Sequence, residues 1–454
     1  MSDLLPILDG ATEDPIQRVL HRAPSQDSSL IDTVASIIDD VRRRGDAALL
    51  ESARKFDAPD LQDLWVSDAE VQSATLEPHQ VEALELAGTR IGVFHAMQLR
   101  ALTMMMQSEE IGANPLIEVT RQFSWTIPAA GKDEPGTGRI GQRLVPVRRA
   151  GVYVPGGAAA YPSSVLMNAI PARTAGVLDV ILASPARRDG SIHPAVLQAG
   201  KLVAADGLLK VGGAAAIAAL ALGTESVQRV DVIVGPGNKW VNEAKRQLWG
   251  QVGLDGYAGP SEVAVLVDGS ANPAWAAADL ITQVEHAPDN AAFLVSLSRH
   301  TLEAVLAEVE KQLQTAPRAA TIRQALKDNS LAVVAKDKEQ AYDFLNALAP
   351  EHLTLSVENP EAAASRIVNA GCILLGEHTP ESAGDFVIGP SHTLPTSGAA
   401  RFSSPVNVMS FMRFQSISQL SPTDLAQLIP TIETFAEMED FPAHGAAATI
   451  RRDR

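Results

Sequence analysis

The chain has 454 residues, 46% hydrophobic and 20% charged, too long for one ordinary core, so two or three globular domains are expected. Its 37 basic and 54 acidic residues give a formal charge of −17, which argues against nucleic acid or an anionic membrane as partner. A single cysteine excludes a disulfide framework and a cysteine-rich metal site.

No apolar run approaches the ~18 residues of a membrane span. The acidic start MSDLLPILDGATEDP lacks a signal-peptide pattern, so a cytoplasmic enzyme or binding protein is expected. Residues 1–27 read as a separate N-terminal segment. From Ser28 to about Arg100 the pattern is helical: Leu30, Val34, Ile37, Ile38 and Val41 fall at helical spacing, and Gly45 is a break. Leu102 to Val119 shows no clear period. The Gly- and Pro-rich TIPAAGKDEPGTGRIGQR, Thr126 to Arg143, reads as a surface loop or hairpin.

From Gly151 strands and helices alternate. GVYVPGG, DVILASP, LLKVGG and VDVIVGPG each precede a helical pattern, and short continuous apolar strands of this kind are buried parallel strands. A second alternation runs through EVAVLVD, AAFLVSLS, LAVVAKD, HLTLSV and CILLG. Cys372, in AGCILLG, reads as a buried small hydrophobe. The fold class is therefore α/β: two tandem open, mostly parallel Rossmann-like units with small helical N- and C-terminal portions, and a cleft for ligands between the sheets. The domains are 28–150 with 262–405, then 151–261, then a helical tail, 406–454. That tail is too short to fold alone and should dock elsewhere, on another subunit.

Several polar clusters stand out. Glycines follow the strands at Gly156 and Gly157, Gly212 and Gly213, and Gly235 to Asn238, where backbone can approach an anion at a helix N-terminus. None of these strand ends carries a GxGxxG fingerprint, so tight turns explain them equally well. In LITQVEHAPDN, Gln283 and His286 lie three apart on one helical face, as a metal site or a solvated helix end would have them. APEHL places Glu351 beside His352, a carboxylate and an imidazole able to move protons, or an ordinary turn before a strand. Asp385 and His392 share the loop-like ESAGDFVIGPSH, and His444 lies in DFPAHG. Spacing does not unite these segments.

Read together, the blocks resemble the histidinol dehydrogenase family: RAGVYVPGG, YPSSVLMNAIPA, VDVIVGPGNKWVNEAKRQ, GLDGYAGPSEV, ITQVEHAPD, APEHLTL and SAGDFVIGPSHTLPTSGAARFSSPV. The likeness runs from about Ser28 to the end, more loosely in the first hundred residues. It implies a zinc- and NAD-dependent homodimer that oxidises L-histidinol to L-histidine through L-histidinal in two successive hydride transfers. The implied zinc ligands are Gln283, His286, Asp385 and His444, with Glu285 unassigned. Histidine nitrogen and carboxylate oxygen suit zinc, and a glutamine oxygen leaves the metal electrophilic.

The implied proton carriers are His352 for the alcohol and Glu351 for water. Neighbours on a strand point to opposite sides, so distorted backbone is expected there. Substrate contacts are implied at Ser261, His392 and Glu439, together with His352 and the zinc ligands, with Glu439 and His444 reaching the neighbouring subunit's site. Tyr153 and Asn238 match cofactor-binding positions. Ala215 stands where the family pattern has glutamine, a departure that predicts weaker NAD binding. Leu99 to Gln122 is insertion-like, a second departure. Two other readings remain: a related dehydrogenase of another small polar alcohol, and a catalytically silent homologue.

Overall fold

The computed structural model describes residues 4–20, 27–104, 122–128, 135–156, 159–256 and 259–452. Gly157 and residues 105–121 of the aperiodic stretch lie outside them. The chain divides into two compact units, Met1–Met97 with Arg148–Phe411, and Gln98–Val147 with Met412–Arg454.

In chain order, β1 (Ile7–Asp9) belongs to the larger unit, and β2 (Gln122–Pro128) and β3 (Pro135–Pro146) to the smaller. Then β4 (Arg149–Tyr153), β5 (Asp179–Ala183), β6 (Gly207–Leu209), β7 (Val232–Val234) and β8 (Gly253–Leu254) form a five-stranded sheet. The next five are β9 (Glu262–Val267), β10 (Ala291–Ser296), β11 (Leu331–Val334), β12 (His352–Ser356) and β13 (Cys372–Leu375), which make a six-stranded sheet with β1. Strand β14 (Met412–Gln419) pairs antiparallel with β3 in the smaller unit.

Every pairing in the two larger sheets is parallel. Their orders are β6-β5-β4-β7-β8 and β1-β11-β10-β9-β12-β13. Numbered within each sheet, both run 3-2-1-4-5, the doubly wound order, with β1 added outside β11. The expected tandem α/β units are present, and the strands are short and apolar because both faces are covered. Strands β9 and β10 are buried along their whole length. With no polar position inside these strands, chemistry is confined to their ends.

Three boundaries differ from the sequence reading. The N-terminal segment does not stand apart: Leu4, Leu5 and Leu8 are buried, and β1 pairs with β11. The helices Ser28–Arg44 and Asp46–Phe56 pack with the 151–261 domain, where Val34, Ile38 and Leu49 share a core with Ile217, Leu220 and Val241. The alanine-rich helix Gly213–Leu222 gives their apolar faces a close-packing partner. The tail is not wholly helical, since β14 extends the β2–β3 hairpin, which itself matches the hairpin reading of Thr126 to Arg143.

Two helices, Pro422–Met438 and Pro442–Thr449, follow β14 and pack on each other. They leave Phe435, Met438, Phe441 and Ile450 between 53% and 74% exposed. Among the described residues no helix is long and apolar enough to cross a membrane.

Candidate active site

In the six-stranded sheet the polar residues gather where the strands begin. Ser261 precedes and Glu262 opens β9, Asn290 precedes β10, and Glu351 precedes and His352 opens β12. Ligands of doubly wound sheets ordinarily sit at the carboxyl ends of the strands. Here the helix Pro273–Thr282 follows β9 and packs back along it, delivering Gln283 to the amino edge.

Glu351 and His352 escape the alternation of a strand because only His352 belongs to β12. Ala349 adopts a left-handed conformation, φ +48°, and Pro350 follows, so Glu351 leaves a turn rather than a pleat. Gly371 is required beside it: a Cβ there would lie 2.6 Å from the Glu351 carbonyl oxygen. Glu351 accepts the Glu262 backbone N–H at 2.9 Å and also bonds the Ser261 side chain. His352 Nε2 then lies 3.8 Å from Glu351 Oε1 and 3.8 Å from Asp385 Oδ1.

Gln283 is buried and His286 exposed. The helix has tightened by then into the 3-10 turn Gln283–Glu285, in which residues three apart eclipse, so the two still align. The Gln283 amide nitrogen donates to Asp385 Oδ2 at 2.9 Å and to Glu381 Oε1. His286 is close enough to His352 and His392 to oppose their protonation. His392 Nδ1 meets the Asp385 carbonyl at 2.7 Å, and its Nε2 meets Ser164 Oγ at 3.4 Å. Ser164 lies in the first turn of the helix after β4, which ties this amino edge to the carboxyl edge of the other sheet.

Glu381 is the residue the sequence reading missed. It is fully buried, and His352, Glu381 and Asp385 each offer an atom within 4.8 Å of the others, a grouping able to hold a metal ion. Glu381 and Asp385 are four residues apart in ESAGD, which places them on one helical face as the spacing of three does for Gln283 and His286.

The electrostatics of the cluster follow from its burial and crowding. Burial, then Asp385 and Glu381, push the Glu351 carboxyl well above the usual range, and burial with Glu381 pushes Asp385 up to about 8. Burial lowers the His352 imidazole and takes His392 down to about 4. Among the described residues no lysine or arginine pairs with these acids. Crowded carboxylates with neutral imidazoles and an amide fit a divalent cation, whose charge would pull the carboxyls back down and keep the imidazoles neutral. Cys372, half-buried at the start of β13, stays a thiol, raised to about 11 by burial and then by Glu381 and Asp385.

The five-stranded sheet carries a cavity of about 770 Å³ at its carboxyl edge. Tyr153, Gly156, Gly212, Gly213, Ala215 and Asn238 line it. The Tyr153 hydroxyl accepts the Gly213 N–H at 3.1 Å, and Asn238 caps the next helix by accepting from Trp240 and Val241. Buried Lys245 braces the rim, bonding the Gly235 carbonyl at 2.6 Å and Asp255 at 2.8 Å, while Asp255 accepts the Gly235 N–H. Glycine turns before helix N-termini around a cavity of this size suit a dinucleotide.

Glu439 and His444 belong to the smaller unit, where both line one cavity of about 270 Å³ beside Phe435 and Phe441.

The sequence profile described as histidinol dehydrogenase matches residues 20–452. The chain belongs to the histidinol dehydrogenase family. It is 43% identical to the histidinol dehydrogenase of Pseudomonas putida over 430 residues, covering 94% of this chain and 91% of that one. It is 42% identical to the Nitrosospira multiformis enzyme, covering 98% and 96%. The crystal structure of histidinol dehydrogenase from Elizabethkingia anophelis superposes with a TM-score of 0.86 at 33% identity, over 99% of this chain and 98% of that chain. The chain is thus an oxidoreductase of the histidinol dehydrogenase type, which fits a place in histidine biosynthesis.

Proposed function

We propose that this chain is a cytoplasmic homodimeric enzyme that oxidises L-histidinol to L-histidine by way of L-histidinal, giving two hydrides in turn to NAD⁺. The observation that carries the reading is the meeting of His352, Glu351 and Asp385 at the amino edge, with Asp385 sharing the Gln283 amide. Gln283, His286 and Asp385, with the partner's His444, would hold one zinc ion, which when bound fixes the substrate's amine and imidazole. Ser261, His392 and the partner's Glu439 complete the substrate's surroundings. The exposed apolar side chains flanking Glu439 and His444 support a docked tail.

His352 is neutral near pH 7 because burial disfavours its charged form, so it accepts the alcohol proton as the first hydride leaves. Glu351, raised by burial, takes a proton from the water that adds to the aldehyde, and the hydrate then gives up the second hydride. NAD⁺ would occupy the cavity at Tyr153 and Asn238.

The test is NADH formation from L-histidinol against a panel of small polar alcohols, before and after a chelator. Two NADH per histidinol, lost with chelator and restored by zinc, is the expected result. Turnover of another alcohol alone would make the chain a related dehydrogenase, and no turnover in zinc-loaded protein would make it a silent homologue. Subunit sharing has its own check: co-expressed Asp385→Asn and His444→Asn chains, each inactive alone, should recover about a quarter of wild-type activity through mixed dimers.

A further inference from the structure

The buried acid Glu381 has no part in the steps above, yet it touches both halves of the site. Its Oε1 lies 3.3 Å from His352 Nδ1 and accepts the Gln283 amide nitrogen. The approach to Nδ1 lacks hydrogen-bond geometry, so His352 Nδ1 and Glu381 Oε2 are both buried without a partner. Buried polar atoms are costly to leave unpaired, and a hydrogen bond between this ring nitrogen and this carboxylate would relieve that cost. The acid is itself pinned, since its backbone N–H donates to Asp279 Oδ1 at 3.1 Å.

We propose that Glu381 is a positioning residue: its carboxylate holds the Nδ1–H of His352, leaving Nε2 bare toward Glu351 and Asp385, and turns the Gln283 amide so that its oxygen is the ligand atom. A ring nitrogen's tautomer is set by the hydrogen bond its other nitrogen makes. Without Glu381 the His352 proton is free to sit on Nε2, where it blocks uptake of the alcohol proton. The Gln283 nitrogen donates to both Glu381 and Asp385, so only its oxygen is left to face a cation. One side chain therefore sets the proton acceptor and a metal ligand together. This inference rests on His352 being the proton acceptor of the proposed reaction.

The test uses full-length, zinc-loaded protein labelled with ¹⁵N-histidine, with the His352 ring signals assigned by their loss in His352→Asn. Wild type should show the Nδ1–H tautomer, and Glu381→Ala a mixture with Nε2–H. In zinc-saturated assays kcat of Glu381→Ala should fall about 10- to 100-fold. KM for histidinol should move much less. Glu381→Gln should fall between the two, because one carbonyl oxygen must serve two donors, and it stands in should the alanine variant fail to fold. An unchanged Nδ1–H signal in the variants overturns the proposal, as does an unchanged kcat beside a shifted tautomer. If wild type oxidises no histidinol but the tautomer shifts, the positioning stands and the substrate reading falls.

Discussion

In the five-stranded sheet the residues lining the cavity follow their strands; in the six-stranded sheet Ser261, Glu262, Asn290, Glu351 and His352 stand where strands begin. Both sheets have the same strand order, so topology alone does not decide which edge is used. The two edges offer opposite partial charges. Beyond the carboxyl ends of parallel strands, helices begin, with unpaired N–H groups and positive potential suited to a phosphate-bearing dinucleotide. At the amino ends helices finish, and their carbonyls favour cations. The helix before Gln283 ends at such a place, where the proposed zinc ion and the amine of the proposed substrate would sit. The duplicated architecture thus supplies an anion edge and a cation edge, joined through Ser164 and His392.

If the edges are separate devices, damage to one should spare the other. His352→Asn or Glu351→Gln should lower kcat by about 10²- to 10⁴-fold. NAD⁺ affinity, measured by calorimetry, should stay unchanged. A parallel loss of cofactor binding would show that the edges are one coupled surface.

The converse damage is steric. A Cβ on Gly235, φ +112°, would lie 2.2 Å from the Tyr153 carbonyl oxygen. On Gly213, φ +62°, it would meet nothing within 4 Å. Gly235→Ala should therefore cost about 3 kcal/mol or more by denaturant unfolding, and Gly213→Ala about 1 kcal/mol. Equal costs would mean that the backbone angle, not the Tyr153 contact, matters at both.

Most of this architecture was legible because parallel strands buried on both faces are written as unbroken apolar runs, VAVLV and AFLVS among them. Their amino-edge location was written too: Ser261–Glu262, Asn290 and Glu351–His352 all stand just before such runs. Glu381 was harder. An acidic residue after proline at a helix start reads as an ordinary favourable first-turn charge, and only tertiary burial makes it costly. The packing of residues 28–56 on the other sheet was invisible for a related reason. An amphipathic face declares that it must be buried, not against what.

A gentler probe of the anion edge is Ala215, which lines the cavity and stands where the resemblance to the family implies glutamine. Ala215→Gln should tighten NAD⁺ about threefold to tenfold, the worth of one net hydrogen bond of ~1 kcal/mol. Zinc content should not move. Weaker NAD⁺ binding instead would mean that the cavity has repacked around alanine.

The smallest expected effect tests a buried acid that sits badly at an anion edge. Asp57 lines the same cavity, accepts the Gly212 N–H, and is raised by burial to about 6. A carboxyl whose folded pKa lies above its unfolded one costs stability as pH rises through that interval, from about 4 to about 6 in this case. Asp57→Asn keeps an acceptor for Gly212 but cannot ionise. Its Tm should exceed wild type by about one degree at pH 8, and the gap should close below pH 4. Dinucleotide phosphates near the ionised carboxylate would be repelled, so NAD⁺ should bind wild type somewhat more tightly at pH 5 than at pH 8, with a flatter profile in the variant. A flat profile in both would place Asp57 beyond the reach of the phosphates.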